Sequence, residues 1–263
     1  MSLVVRNLTA RLGRTEVLHR VGLTAQAGEV TAIVGPNGSG KSTLLRCLTG
    51  DLSFSGDVLL NGRDPRTIPG WELATLRAVL PQASALAFPF TALEVVRIGL
   101  EARGSADRTG IAQAVLARVG LAGFEGRFYQ ELSGGEQARV QLARVLAQVW
   151  HPVPGGAPRW LFLDEPVAAL DIAHQRVVTD IARAFAAEGG GVVAVMHDLN
   201  LTAGFAHRMV LLAEGRVRAE GPPDTVMTDA LLSAAYGCEI RVGVIPSTPF
   251  LLPQMPDRQP PLR

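Results

Sequence analysis

The stretch GPNGSGKST, Gly35 to Thr43, constrains this chain more than any other part of it. It fits G-x-x-x-x-G-K-[ST] from Gly35 to Ser42. It follows the compact apolar run VTAIV and precedes STLLRCLTG, whose apolar residues have helical spacing. A buried strand, a glycine-rich turn and a helix in that order make a loop for phosphate. Gly35, Gly38 and Gly40 let the backbone approach closely and aim N–H groups inward as an anion nest. The helix that begins near Ser42 adds its positive end, and the Ser42 hydroxyl suits Mg²⁺. Pro36, Asn37, Ser39 and Thr43 complete the segment expected to hold ATP. Lys41 is the only lysine among 25 basic residues, all the others being arginine. A compact ammonium on a flexible stem can reach β- and γ-phosphates inside a tight backbone cradle, where a planar guanidinium is too wide.

The rest of the composition is permissive. At 263 residues there is room for one large domain or two small ones. A content of 48% hydrophobic and 19% charged residues suits a globular protein with a sizeable core. A net charge of +1 gives no sign of a basic stripe, so no nucleic-acid partner is expected. Cys47 and Cys238 lack metal-type spacing and read as small reduced residues. The N-terminal stretch has no long apolar run of the signal-peptide kind. No segment reaches the roughly 18 apolar residues that span a bilayer. A cytoplasmic protein that does not itself cross a membrane is expected, with a membrane-embedded partner left open.

Along the chain, Leu3 to Val5 and Val17 to Thr24 read as short strands, and Gly56 to Asn61 as another closed by an Asn61-Gly62 turn. From about Ser84 to Val149 the pattern is mostly helical, with Thr91 and Glu94 placed as a capping box. His151 to Arg159 is a proline and glycine loop. WLFLDEP and GVVAVMHD are apolar runs that end in polar groups, as buried parallel strands do when a site lies at their C-terminal ends. MVLLAEGRVRAEG reads as a hairpin turning at Glu214-Gly215, and the tail from Pro246 as extended or poorly ordered. The expectation is an α/β nucleotide-binding core with a helical insert.

LSGGEQ, Leu132 to Gln137, precedes a second helical pattern. Ser133 and Glu136 form an S-x-x-E capping box, and a well-capped helix is the plain alternative. Gly134 and Gly135 in its first turn weaken the helix, which makes sense if a ligand must come close. A second anion-binding helix start fits. Since one ATP already occupies the Gly35 loop, LSGGEQ belongs most simply to the ATP of another subunit. That predicts a head-to-tail homodimer with two ATP molecules between the subunits.

The Gly35 loop, LSGGEQ, LFLDEP and a later histidine, in this order and spacing, resemble the ATP-binding subunit of ABC transporters over about Ser2 to Val242. The resemblance implies a phosphate-loop NTPase fold: a mixed, largely parallel sheet with flanking helices, an N-terminal antiparallel β subdomain and an inserted helical subdomain. It implies an ATP-binding domain over 2–242, the helical subdomain at about 83–150 and a tail at 243–263. In it, Asp164 resembles the carboxylate that holds Mg²⁺ and Glu165 the base that polarises the attacking water. Two solvated acids at a strand end are the plain alternative. His197 resembles the histidine that contacts the γ-phosphate. Gln82, in LPQ, resembles the glutamine that binds Mg²⁺ or the water and connects core to insert. Asp171, in AALD, resembles the residue that communicates across the dimer. Arg11 aligns where the family often carries an aromatic residue that stacks on adenine, a place a guanidinium plane can take. Val167 and Ala168 stand where threonine and serine are common.

The same resemblance implies ATP hydrolysis coupled to transport through two permease subunits in the membrane. A periplasmic substrate-binding protein would serve the same system without direct contact. Residues from about Gln82 to Leu100 would form the docking surface, with Phe88 and Phe90 around Pro89; core packing is the alternative for those rings. MHDLNLTAGFAHRMVLLAEGRV resembles the importer branch for iron chelates, haem and vitamin B12. The insertion in VWHPVPGGAPRWLFLDEP and the segment YGCEIRVGVIPSTPFLLP resemble the haemin-import subunits in particular. Haem is therefore the expected cargo, with ferric siderophore or cobalamin as alternatives and an exporter-type or soluble ABC ATPase further off.

Overall fold

A computed structural model describes residues 1–82, 88–102, 110–168, 170–245 and 247–249. In chain order come β1 (Ser2–Leu12), β2 (Thr15–Gln26), β3 (Val30–Val34), α1 (Lys41–Leu48), β4 (Ser55–Leu60), α2 (Gly70–Leu76) and β5 (Arg77–Leu80). The helical stretch follows: α3 (Ala92–Ala102), α4 (Ile111–Arg118) and α5 (Gly134–Gln148). Then come β6 (Trp160–Asp164), α6 (Ile172–Ala187), β7 (Gly191–Val195), α7 (Leu199–Phe205), β8 (Arg208–Ala213), β9 (Arg216–Gly221), α8 (Pro223–Val226) and α9 (Asp229–Tyr236).

Two sheets result. One is antiparallel in the order β2-β1-β4, and the other runs β5-β6-β7-β3-β8-β9. In the second, only the β8–β9 pair is antiparallel. That pair is the expected hairpin, turned by Glu214 and Gly215 at φ 51° and 67°. Strands β3, β6 and β7 are buried at every residue, and period-two alternation divides each between two cores. Trp160, Phe162, Val193, Val195 and Ile33 pack with α1 and the antiparallel sheet. Leu161, Leu163, Val192, Ala194, Ala32 and Val34 pack with the helices on the other face. Each Val, Leu, Ile or Phe side chain among these taken fully out of water contributes about 1.5–3 kcal/mol.

The register places the three strand ends side by side: Asp164 pairs with Val195, and Val195 with Ile33. The segments that leave these strands carry the Gly35 loop, Asp164-Glu165 and His197, so the fold puts them on one edge of the sheet. The expected strands and helices are present, the first two strands longer than expected. Six elements were not read individually from the sequence: helices α2, α6, α7, α8 and α9 and strand β5. WELATL and RAVL are too short to show a period, and β5 becomes a strand because β6 pairs with it from Arg77 to Leu80. Residues 83–87, where the helical insert was expected to begin, and 250–263 of the tail lie outside the described residues, as do Ala169 and Pro246.

The two pairs expected as capping boxes are formed. Thr91 N–H donates to Glu94 Oε2 at 2.7 Å, and Ser133 N–H to Glu136 Oε2 at 2.7 Å. Helix α3 lies directly on α5 at Gly99, where an added Cβ would stand 2.0 Å from the Arg144 carbonyl oxygen. Neither backbone can yield locally. Gly99→Ala should therefore push α3 off α5 and lower unfolding free energy by about 1–3 kcal/mol or more, measured by urea denaturation.

Candidate nucleotide site

The loop after β3 has the backbone that its glycines require. Gly35 has φ 148°, and a Cβ there would stand 1.9 Å from the Leu212 carbonyl oxygen of β8. Lys41 is the first residue of α1 and only 5% exposed. Its Nζ donates to the Gly35 carbonyl at 2.8 Å and the Pro36 carbonyl at 2.9 Å, folding the side chain back over the loop. Burial pulls its pKa below the usual lysine value, while Glu165 and Asp164 oppose that shift. Ser39 Oγ, also in the loop, is buried without a hydrogen-bond partner. A buried donor left unmade is costly, and phosphate oxygens would satisfy it. Asn37, Gly38, Gly40, Ser42 and Thr43 line a cavity of about 310 Å³ that Glu165 and His197 also face.

At the end of β6 the two acids have different surroundings. Asp164 is 8% exposed and accepts a hydrogen bond from Ser42 Oγ at 3.1 Å. Burial raises its pKa, the Ser42 bond lowers it, and the neighbouring Glu165 charge raises it again. Glu165 adopts φ 50°, a left-handed conformation uncommon outside glycine that costs of order 1–3 kcal/mol. That twist turns its carboxylate across the site. Gln82 Nε2 donates to Oε2 at 2.9 Å, and His197 Nε2 lies 2.5 Å from Oε1. Each carboxylate oxygen has one partner, so the group is oriented while remaining open to the cavity.

The oxygen donors suit Mg²⁺. The ion takes only one or two protein oxygens and completes its shell with phosphates and water. The Ser42 hydroxyl and Asp164 carboxylate are adjacent hard donors of this kind. Gln82 shares a cavity with Asp164 and is engaged with Glu165.

LSGGEQ lies elsewhere. Ser133 caps α5, and Ser133 and Gly134 are exposed. Gly134 and Gln137 instead face Gln82, Asp164 and Glu165 across a second cavity of about 200 Å³ between core and insert. Leu132 anchors the motif as a buried residue, and Gln137 Nε2 donates back to its carbonyl at 3.0 Å. Asp171 caps α6, accepting from the His174 N–H at 2.9 Å and lying 2.7 Å from its ring nitrogen Nδ1. Those bonds hold its carboxyl below the usual range.

Arg11 differs from its expected place. Its guanidinium pairs with Glu16 at 3.3 Å, and the apolar wall beside the phosphate loop comes from Leu12 and Val17. Tyr129 and Gln141, joined at 3.1 Å, also reach the second cavity unannounced by the sequence. The two phenylalanines separate: Phe88 is 67% exposed, whereas Phe90 packs against the core.

The Lys41 Nζ meets two carbonyls as a compact donor, a fit that a planar guanidinium does not reproduce. Lys41→Arg should lower kcat for ATP hydrolysis by ~10²-fold or more with little change in melting temperature, checked by steady-state assay and calorimetry.

Comparison with known proteins agrees with this geometry. A profile described as ABC transporter matches residues 18–168. The hemin import ATP-binding protein HmuV of Roseobacter denitrificans is 60% identical over 98% of this chain and 100% of its own length. The HmuV proteins of Jannaschia sp. and Rhizobium meliloti are 60% and 55% identical over 97% and 94% of this chain, covering 96% and 97% of their own. A solved bacterial Atm1-family ABC exporter with ATP bound superposes with TM-score 0.75 at 28% identity, over 89% of this chain and 41% of that one. An ATP-binding subunit of an ABC transporter gives TM-score 0.76 at 23% identity over 89% and 96%, a likeness of fold. Among the described residues no helix is long and apolar enough to cross a membrane. Similarity of this depth along nearly the whole chain has one consequence: it belongs to the ABC transporter family, as an ATP-binding subunit that hydrolyses ATP.

Proposed function

We propose that this chain powers haem (hemin) import, hydrolysing ATP at the cytoplasmic face of the inner membrane as a peripheral subunit bound to a permease. The observation that carries the cargo is the 60% identity, over 98% of the chain, to a protein named for hemin import. Residues 2–242 form the ATP-binding domain, with 83–150 as its helical subdomain and 243–263 as a tail. Two copies work head to tail, each phosphate loop facing the partner's LSGGEQ. Two permease subunits receive the motion, and a periplasmic substrate-binding protein delivers the haem. The exposed ring of Phe88 suits the permease-facing surface, while Phe90 belongs to the core.

The chemistry needs positioning and charge compensation more than covalent steps. The loop from Gly35 to Thr43 cradles the phosphates, and Lys41 exchanges the carbonyls of Gly35 and Pro36 for phosphate oxygens. Ser42 and Asp164, with Gln82 nearby, would hold Mg²⁺, which supplies charge neutralisation. Glu165 accepts the proton of the attacking water. Gln82 and His197 orient it through the two hydrogen bonds described above, and His197 extends towards the γ-phosphate. Leu12 and Val17 offer the adenine an apolar wall in place of Arg11. Asp171 contacts the partner subunit.

Glu165→Gln keeps the size and both neighbours of the side chain but removes the base. ATP should still bind, while kcat falls by ~10²–10⁴-fold in a phosphate-release assay. Deletion of the gene should abolish growth on haemin as sole iron source yet spare growth on ferric siderophores, and only the unsubstituted gene should restore it. Unimpaired haemin growth in a deletion strain with no other haem uptake system would overturn the haem cargo. Siderophore- or cobalamin-dependent growth defects would then identify the cargo instead.

A further inference from the structure

We propose that Arg139 is a positioning residue that sets the direction in which the start of α5 offers its backbone N–H groups to a partner subunit's ATP. This rests on the two-subunit reading given above. Arg139 is on the inner face of α5 and 7% exposed. A buried guanidinium is tolerated only when its N–H groups find acceptors. Nη1 donates to the carbonyls of Val119 and Gly120 at 3.2 and 3.1 Å, and Nε to the Gly135 carbonyl at 3.4 Å. Val119 and Gly120 close the C-terminal end of α4, the negative end of that helix, where a cation is favoured. Gly135 is in the first turn of α5, inside LSGGEQ. One side chain therefore ties the end of one helix to the beginning of the next.

The fit is close on the α4 side. A Cβ on Gly120 would stand 3.3 Å from Nη1. Hydrogen bonds from Ser133 hold the Glu136 carboxyl below its usual range and those from His174 do the same for Asp171, with a smaller contribution from the Arg139 charge to each. The capping box between Ser133 and Glu136 shapes the first turn of α5 but does not say how that turn is rotated relative to its surroundings. Arg139 supplies this reference. It joins the turn to α4 by hydrogen bonds. Lysine would keep the charge but lose the planar fork that reaches several carbonyls together.

The test uses the full-length chain carrying Glu165→Gln, with ATP and Mg²⁺. Dimerisation is followed by sedimentation, ATP affinity of the dilute monomer by fluorescence titration, and folding by thermal melting. Adding Arg139→Gln should weaken the ATP-dependent dimer about tenfold or more, and Arg139→Lys by less, with the monomer's ATP affinity unchanged in both. A dimer as tight as the parent's overturns the proposal. So does a fall in melting temperature that parallels the loss of dimer in both variants, which a merely structural arginine would produce. Where Arg139→Gln does not fold, Arg139→Lys decides by the same two readings. If the parent itself stays monomeric with ATP, the two-subunit reading is what fails, and the proposal falls with it.

Discussion

The alignment of β6, β7 and β3 is the constraint on which everything else depends. The three strands run parallel, are buried on both faces and pair without a shift, Asp164 against Val195 and Val195 against Ile33. Parallel strands finish on the same edge, and buried ones cannot slip by one residue without exchanging their two cores. The loop that cradles phosphate, the two acids and the histidine thus meet although more than a hundred residues separate the first from the last. The antiparallel sheet adds the apolar wall of Leu12 and Val17, and the insert brings α5 up to the far side of Glu165.

Burial at that edge does opposite things to the two signs of charge. It lowers the pKa of Lys41 and raises that of Asp164, because each charged form loses water. Neighbours oppose the first shift: the carboxylates favour the ammonium, as the Ser42 hydroxyl favours the Asp164 carboxylate. Glu165 is held differently, by a strained backbone and two side-chain partners from separate segments. A carboxylate held on both oxygens yet facing a cavity is oriented and still accessible.

Much of this was legible locally. The Gly35 loop, both capping boxes and the Glu214-Gly215 hairpin are short-range patterns whose causes lie within a few residues. Gln82, Asp164, Glu165 and His197 were legible by resemblance, and the structure joins Glu165 to Gln82 and His197. Arg11 shows where reading along the chain stops working. The β1–β2 ladder shifts register between Val5 and Leu8, where β1 carries one more residue than β2. Such a bulge turns the following side chains to the other face, so Leu12, and not Arg11, shares the face of the buried Leu8 and Ala10. Helix α2 and strand β5 were hidden for another reason: segments this short acquire their structure from their neighbours.

The sequence by itself determined the class of ligand and the order of the working parts. A glycine-rich turn between an apolar strand and a helix, with one lysine, admits few other uses. Tertiary structure alone decided which residues meet. It brought Gln82 to Glu165, replaced Arg11 by Leu12 and Val17, and buried Arg139 between two helix ends. The physical reason is the same in each case. Hydrogen bonds, caps and turns act over a few residues and leave a mark in the local sequence, whereas sheet register and helix packing act between residues whose separation along the chain carries no trace of their contact.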